Sequence, residues 1–280
     1  MTNYINYNGN FVPSDKPIIN ASNRAFRYGD GIFETIRVSN HSIALADYHF
    51  ERLFSGIRLL KFNPLAFFTP ALLQEQILEL CAKNNHSGNI RVRLMVFRGD
   101  GGLYDPDNDV TNYIIESQPL YDKENQKNKN GLQIDIFPDG IKAVDLFSNL
   151  KSNNYLVSVM GALYAKAKQL DDCIILNSQG RICETTISNI FCIREKTILT
   201  PALSEGCVAG VMRRHLLTQL KKFGFEVIEQ PVDNIVLEDA DEIFLTNAIS
   251  IIRSVASFRN RTYRMNKSSE IRQELIKEFS

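Results

Sequence analysis

The sequence predicts an α+β protein of two domains, and three observations carry that expectation. The chain has 280 residues, enough for two ordinary cores. Strand-period and helix-period segments are mixed along it without the regular alternation of a parallel βαβ architecture. Near the middle, Tyr121-Asp-Lys-Glu-Asn-Gln-Lys-Asn-Lys-Asn-Gly131 is almost wholly polar and charged, so burial cannot offset the entropy of ordering it. The expected division is 1–120 as an N-terminal α+β domain, 121–131 as a linker or exposed loop, and 132–280 as a C-terminal α+β domain.

Taken in order, the chain opens with short strand-like pieces, and Tyr7-Asn8-Gly9-Asn10 is a hairpin signal. Helical periodicity follows over Ala46 to Leu60 and Pro70 to Ala82. Asn89 to Phe97 alternates, with Ile90, Val92, Leu94 and Val96 on one face and Arg91 and Arg93 on the other, and Tyr113-Ile-Ile115 is a further strand. Beyond the polar run, Leu132 to Phe137 reads as a strand, Leu156 to Gln169 as a helix, and Cys173 to Leu176 and Ile190 to Ile193 as strands. A helix from Val211 to Phe223 and a strand from Glu242 to Thr246 complete the pattern.

Composition narrows the partners. Lys plus Arg equals Asp plus Glu, 32 each, which removes the usual electrostatic reason to expect nucleic acid or an anionic membrane. The expected ligand is small. No stretch approaches ~18 uninterrupted apolar residues, and the polar opening Met1-Thr-Asn-Tyr4 lacks a leader pattern, so a cytoplasmic location is expected. Five scattered cysteines without a C-x-x-C pair predict neither disulfides nor a metal site; Cys183 and Cys192 read as small hydrophobes in strands. The G-x-G-x-x-G, G-x-S-x-G and H-E-x-x-H patterns are missing, and Gly99-Asp-Gly-Gly102 reads as a loop.

Seven segments carry a more specific signal. They are Arg24-Ala-Phe-Arg-Tyr-Gly-Asp-Gly-Ile-Phe-Glu-Thr-Ile-Arg37, His49-Phe-Glu-Arg-Leu53, Arg98-Gly-Asp-Gly-Gly102, Leu150-Lys-Ser-Asn-Asn-Tyr-Leu156, Arg181-Ile-Cys-Glu-Thr-Thr-Ile-Ser-Asn-Ile-Phe191, Gly210-Val-Met-Arg213 and Thr246-Asn-Ala248. In their order and spacing they resemble the class IV aminotransferases, the family that includes branched-chain aminotransferase, D-amino-acid aminotransferase and 4-amino-4-deoxychorismate lyase. The resemblance implies a two-domain, D-amino-acid aminotransferase-like fold, pyridoxal 5'-phosphate at the domain interface, and a homodimer.

It also implies roles. Lys151 matches the lysine that carries the cofactor as a Schiff base and moves the α-proton; an amine does both only when its charged form is disfavoured. Glu184 matches the carboxylate that keeps the cofactor's ring nitrogen protonated. Arg52 matches the phosphate-binding arginine, whose planar fork suits a dianion. Gly210, Val211 and Met212 open a helix whose N–H groups can face the phosphate, and Thr246, Asn247 and Ala248 would add a hydroxyl and backbone donors. Tyr155 resembles the tyrosine that bonds the cofactor's phenolic oxygen, and Asn189 is expected to be structural. On the substrate side stand Phe33, Arg93 and Arg98. Alternation puts Arg91 with Arg93 and, if the strand stays regular, Arg98 on the opposite face.

The substrate stays open between an amino acid with a 2-oxo acid acceptor, in the manner of branched-chain aminotransferases, and deoxychorismate cleavage to pyruvate and 4-aminobenzoate. Arg98-Gly-Asp-Gly-Gly102 and Thr246-Asn-Ala248 resemble the lyases; Phe33-Glu34 and the Asn154-Tyr155 that follows Lys151 resemble the branched-chain enzymes. A catalytically inactive binding homologue is a third, minor reading.

Overall fold

The structure, a computed structural model, describes residues 3–120 and 130–279, so most of the expected linker lies outside the described residues. The described chain falls into two compact units, one built from residues up to 120 together with Lys151–Asn154, the other from the remainder.

The first unit is an antiparallel sheet covered on one face by two helices. Its elements are β1 (Tyr4–Tyr7), β2 (Asn10–Pro13), a short α1 (Arg24–Tyr28), β3 (Gly31–Ser39), β4 (Ser42–Ile43), α2 (Ala46–Leu59), α3 (Pro70–Lys83), β5 (Ile90–Arg98) and β6 (Thr111–Pro119). The strands lie in the order β2-β1-β6-β5-β3-β4. β1 and β2 form the expected hairpin, with Tyr7 opposite Asn10. Asn8 and Gly9 both take positive φ, 50° and 86°, as the tight two-residue turn requires. Phe50, Leu53 and Ile57 of α2 and Leu73, Ile77 and Leu80 of α3 are buried against Ile36, Val38, Val92, Leu94 and Val96. Each such side chain contributes about 1.5–3 kcal/mol by leaving water. Thr69 caps α3 by accepting from Leu72 N–H, with Pro70 at the first helical position.

The second unit holds β7 (Leu132–Lys142), α4 (Leu156–Ala167), β8 (Asp172–Asn177), β9 (Ile182–Thr185), β10 (Asn189–Arg194), β11 (Thr197–Pro201), a 3-10 turn (Leu203–Glu205), α5 (Val211–Lys222), β12 (Glu226–Gln230), α6 (Asn234–Asp239), β13 (Glu242–Asn247), β14 (Ile251–Phe258), β15 (Arg261–Thr262) and α7 (Asn266–Glu278). Its sheet runs β12-β11-β10-β13-β14-β7-β8-β9, with β15 beside β14. The pairs β11/β12, β14/β7 and β7/β8 are parallel and the rest antiparallel. The β7-α4-β8 passage is the crossover a parallel pair needs. Ile174, Ile182, Ile190, Ile243, Leu245 and Val255 make its core. All five cysteines are free and buried.

One boundary differs from expectation. Lys151–Asn154 cluster with the first unit, whereas the sequence places the lysine in the C-terminal domain. The reason is backbone pairing along β3: Phe33 N–H donates to Lys151 O at 2.8 Å, Asn153 N–H to Gly31 O at 2.9 Å, and Ile32 bridges Ser152.

Candidate active site

This edge pairing sets where Lys151 points. Opposed residues of an antiparallel pair share a face, so the Lys151 side chain goes with Phe33, and its Nζ lies 4.5 Å from the Phe33 ring centroid. Gly31 is required here, since a Cβ would meet Asn153 Nδ2 at 2.5 Å and Val96 O at 2.9 Å. Arg93, from the neighbouring β5, stacks its guanidinium 3.8 Å from the same Phe33 centroid. One aromatic ring therefore carries both a candidate nucleophile and a candidate carboxylate receptor, at cation–π distances that hold each head group in place. Arg91, on the same strand face, is exposed.

The opposite face of β3 holds a buried ionic group. Glu34 accepts from Arg52 Nε at 2.8 Å and Nη2 at 2.5 Å, and meets His49 Nδ1 at 2.7 Å. Burial alone would raise the Glu34 carboxyl, but Arg52 and His49 outweigh it and hold it at about 2. Burial pushes His49 down, against the pull of Glu34, so the imidazole tends to neutrality and its Nδ1–H is the donor. The fork of Arg52, expected to grip a dianion, is thus closed on Glu34.

Arg98 is a correction. β5 stays regular to its end, so Arg98 points to the face opposite Arg93, as alternation requires. There it donates to Asp30 at 3.1 Å, Asp109 at 3.0 Å, Lys61 O at 3.2 Å and Leu60 O at 2.7 Å, and stacks over Phe62. Four of its five N–H groups are engaged. Arg98 ties the strand end to the loops around it rather than waiting for a substrate carboxylate.

In the second unit, Glu184 sits on β9 opposite Ile175 and is 5% exposed. Lys142 Nζ bonds its Oε1, and Val208 N–H donates to its Oε2 at 2.8 Å. The same loop runs on to Gly210, the N-cap of α5, which has no side-chain cap. A Cβ at Gly210 would lie 2.1 Å from Asn189 Oδ1, and Asn189 Nδ2 donates to Val208 O at 2.9 Å. Asn189 is thus a structural brace, and Gly210 is the residue it leaves room for. Val211 and Met212 bury their side chains and leave their amides at the start of the helix.

The Thr246 hydroxyl differs from expectation: it donates to Ile251 O at 2.6 Å, so its proton is not available to a ligand. Asn247 Oδ1 accepts from Ile249 N–H at 3.0 Å and Ser250 N–H at 2.8 Å; the loop closes on itself between β13 and β14, with Ala248 inside that turn. Tyr155 opens α4, its carbonyl accepting from Val159 N–H at 2.9 Å. Sequence reasoning passed over Glu34, His49 and Lys142. A carboxylate among Ile32, Ile36 and Val38 on one strand face was the available signal for Glu34; Lys142 carried none.

The first unit offers an amine beside an apolar ring, and the second a buried carboxylate and a helix start without a side-chain cap; each taken by itself is a group that suits part of a phosphorylated pyridine aldehyde. Residues 31–258 match the family model described as amino-transferase class IV, and the chain belongs to that family. It is 26% identical over 97% of its length to a putative branched-chain-amino-acid aminotransferase of Methanocaldococcus jannaschii, covering 93% of that protein. It is 29% identical to the aminodeoxychorismate lyase of Bacillus subtilis, over 86% of this chain and 82% of that one. The solved branched-chain amino acid aminotransferase of Escherichia coli shares the fold, with a TM-score of 0.91 and 23% identity over 100% of this chain and 95% of that chain. No helix among the described residues is long and apolar enough to cross a membrane.

Proposed function

We propose that the protein is a pyridoxal-phosphate aminotransferase that takes a small amino acid, branched-chain-like, with a 2-oxo acid as acceptor. When bound, the cofactor supplies an electron-withdrawing ring that makes an amino acid's α-proton acidic. Lys151 would hold the cofactor covalently, and its Nζ, when free, would take and return the α-proton. Glu184 holds a proton on the ring nitrogen through its fixed carboxylate. The Val211 and Met212 amides bind the phosphate at the positive end of α5; the Gly210 N–H, expected to join them, instead donates to Val208 O at 2.8 Å, and Arg52 stands as the arginine on the phosphate side. Thr246, Asn247 and Ala248 shape that end through their turn, and Tyr155 orients the ring's phenolic oxygen. Arg93 receives the substrate carboxylate over Phe33.

The observation that carries this reading is the placing of Arg93 and Lys151 on one ring: an amino acid presents a carboxylate and an amine separated by a single carbon. Deoxychorismate cleavage is the second reading, favoured by the 29% identity to a lyase. The Arg98 loop lends it no support here, because Arg98 is engaged within the protein. A second copy of the chain is the proposed partner. Leu156, Val159, Met160 and Leu163 form an exposed apolar stripe at helical spacing along α4, between 47% and 73% exposed.

The test mixes the loaded protein with leucine or glutamate, with and without 2-oxoglutarate, and in parallel with aminodeoxychorismate. Donor consumption that requires the oxo acid is the expected result. Pyruvate and 4-aminobenzoate released without an acceptor, with no amino acid changing the cofactor's absorbance, would make this a lyase.

A further inference from the structure

Lys142 is a largely buried cation that none of these roles uses. It ends β7, where the register against β8 shifts between Ile136 and Ile141 before Lys142 pairs with Asn177. From there its ammonium bonds Glu184 Oε1 while Val208 N–H holds Oε2 at 2.8 Å. Burial would push the Lys142 pKa down; Glu184 outweighs it, and the amine is held above its ordinary value. The other groups facing the pair do not compete for that charge. Burial pushes the Cys183 and Cys207 thiols up, Cys207 to about 11, so both stay neutral. Glu205 is engaged by Arg181 at 2.6 Å, and Asp145 by Ser148 at 2.7 Å.

We propose that Lys142 is a positioning residue: with the Val208 N–H it keeps Glu184 ionised and in one orientation before any ligand arrives. This rests on the reading of Glu184 as the ring-nitrogen partner. Removing one partner of a buried ion pair leaves the other charge without compensation, which the folded state disfavours. A neutral acid cannot hold the ring nitrogen in its charged form. Lys142 thus acts through Glu184 and touches no reacting atom.

The test has two arms. In the first, the cofactor-free wild type and the Lys142→Met, Lys142→Arg, Glu184→Gln and Lys142→Met/Glu184→Gln variants are unfolded thermally between pH 5.5 and 8.5. Lys142→Met should lower Tm by about 5 °C or more at pH 8. That gap should narrow as pH falls, because Glu184 then gains its proton in the folded state. Glu184→Gln should recover part of the loss in the Lys142→Met background, and Lys142→Arg should recover most of it. In the second arm, the visible absorbance of the cofactor-loaded proteins is titrated. Lys142→Met should move the midpoint by about one pH unit or more, and Lys142→Arg should restore it. A Tm loss equal at every pH, an additive double variant and an unmoved absorbance overturn the proposal. A non-additive cycle with an absorbance that Glu184→Gln does not move supports the Lys142 clamp and overturns instead the ring-nitrogen reading.

Discussion

At the scale of single residues, two arginines with the same side chain do different work because a strand alternates. Arg93 stacks over Phe33 beside Lys151; Arg98, on the other face, is tied to Asp30 and Asp109. Arg93→Met should therefore raise KM for the amino donor by roughly 10- to 100-fold, the loss of a charge-assisted bond to a carboxylate, while Tm changes little. Arg98→Met should do the reverse, lowering stability by about 1–3 kcal/mol as the Leu60 and Lys61 carbonyls lose their donor while Asp30 keeps its pair to Arg24 at 2.8 Å, as thermal unfolding would report. A KM effect confined to Arg98→Met would invert the assignment. Glu184→Gln should keep the cofactor bound yet slow α-proton removal by on the order of 10² or more; single-turnover kinetics at the wild-type rate would show that another acid serves the ring.

At the scale of elements, α2 is fastened to β3 by charge as well as by packing. The Glu34 pKa lies below its ordinary value, at about 2. Its contribution to stability is therefore complete above the ordinary carboxylate range and is lost as pH falls toward about 2. The Tm gap between wild type and Glu34→Gln should be constant from pH 8 to about 5 and close in acid; a gap that widens in acid would contradict the buried pair. The helices α2, α3, α4 and α5 were legible from periodicity to within a residue or two, and so were β5 and β8. β3 was not, because its core face carries Glu34 among Ile32, Ile36 and Val38, and a buried ion pair is invisible until its partners on α2 are in place. The edge pairing of Lys151–Asn154 was equally hidden, since nothing local in Lys-Ser-Asn-Asn specifies a strand more than a hundred residues earlier. The motif residues pointed to the family; only packing revealed that the Arg52 fork, the Thr246 hydroxyl and Arg98 were already engaged.

At the scale of the whole molecule, the exposed stripe on α4 bears on assembly. A second copy covering it should make Leu163→Glu or Val159→Glu monomeric in sedimentation at micromolar protein, with secondary structure retained; an active wild-type monomer under the same conditions would remove the dimer. The proposed roles of Arg93, Glu184 and Lys142 are all defined relative to what the Lys151 amine would hold. The most direct measurement is to load the protein with pyridoxal phosphate, reduce it with borohydride and map the modified peptide. The pyridoxyl group should lie on the peptide containing Lys151 and be lost in a folded Lys151→Ala variant; a stoichiometric label on any other lysine, or an unchanged yield in the variant, would contradict the account.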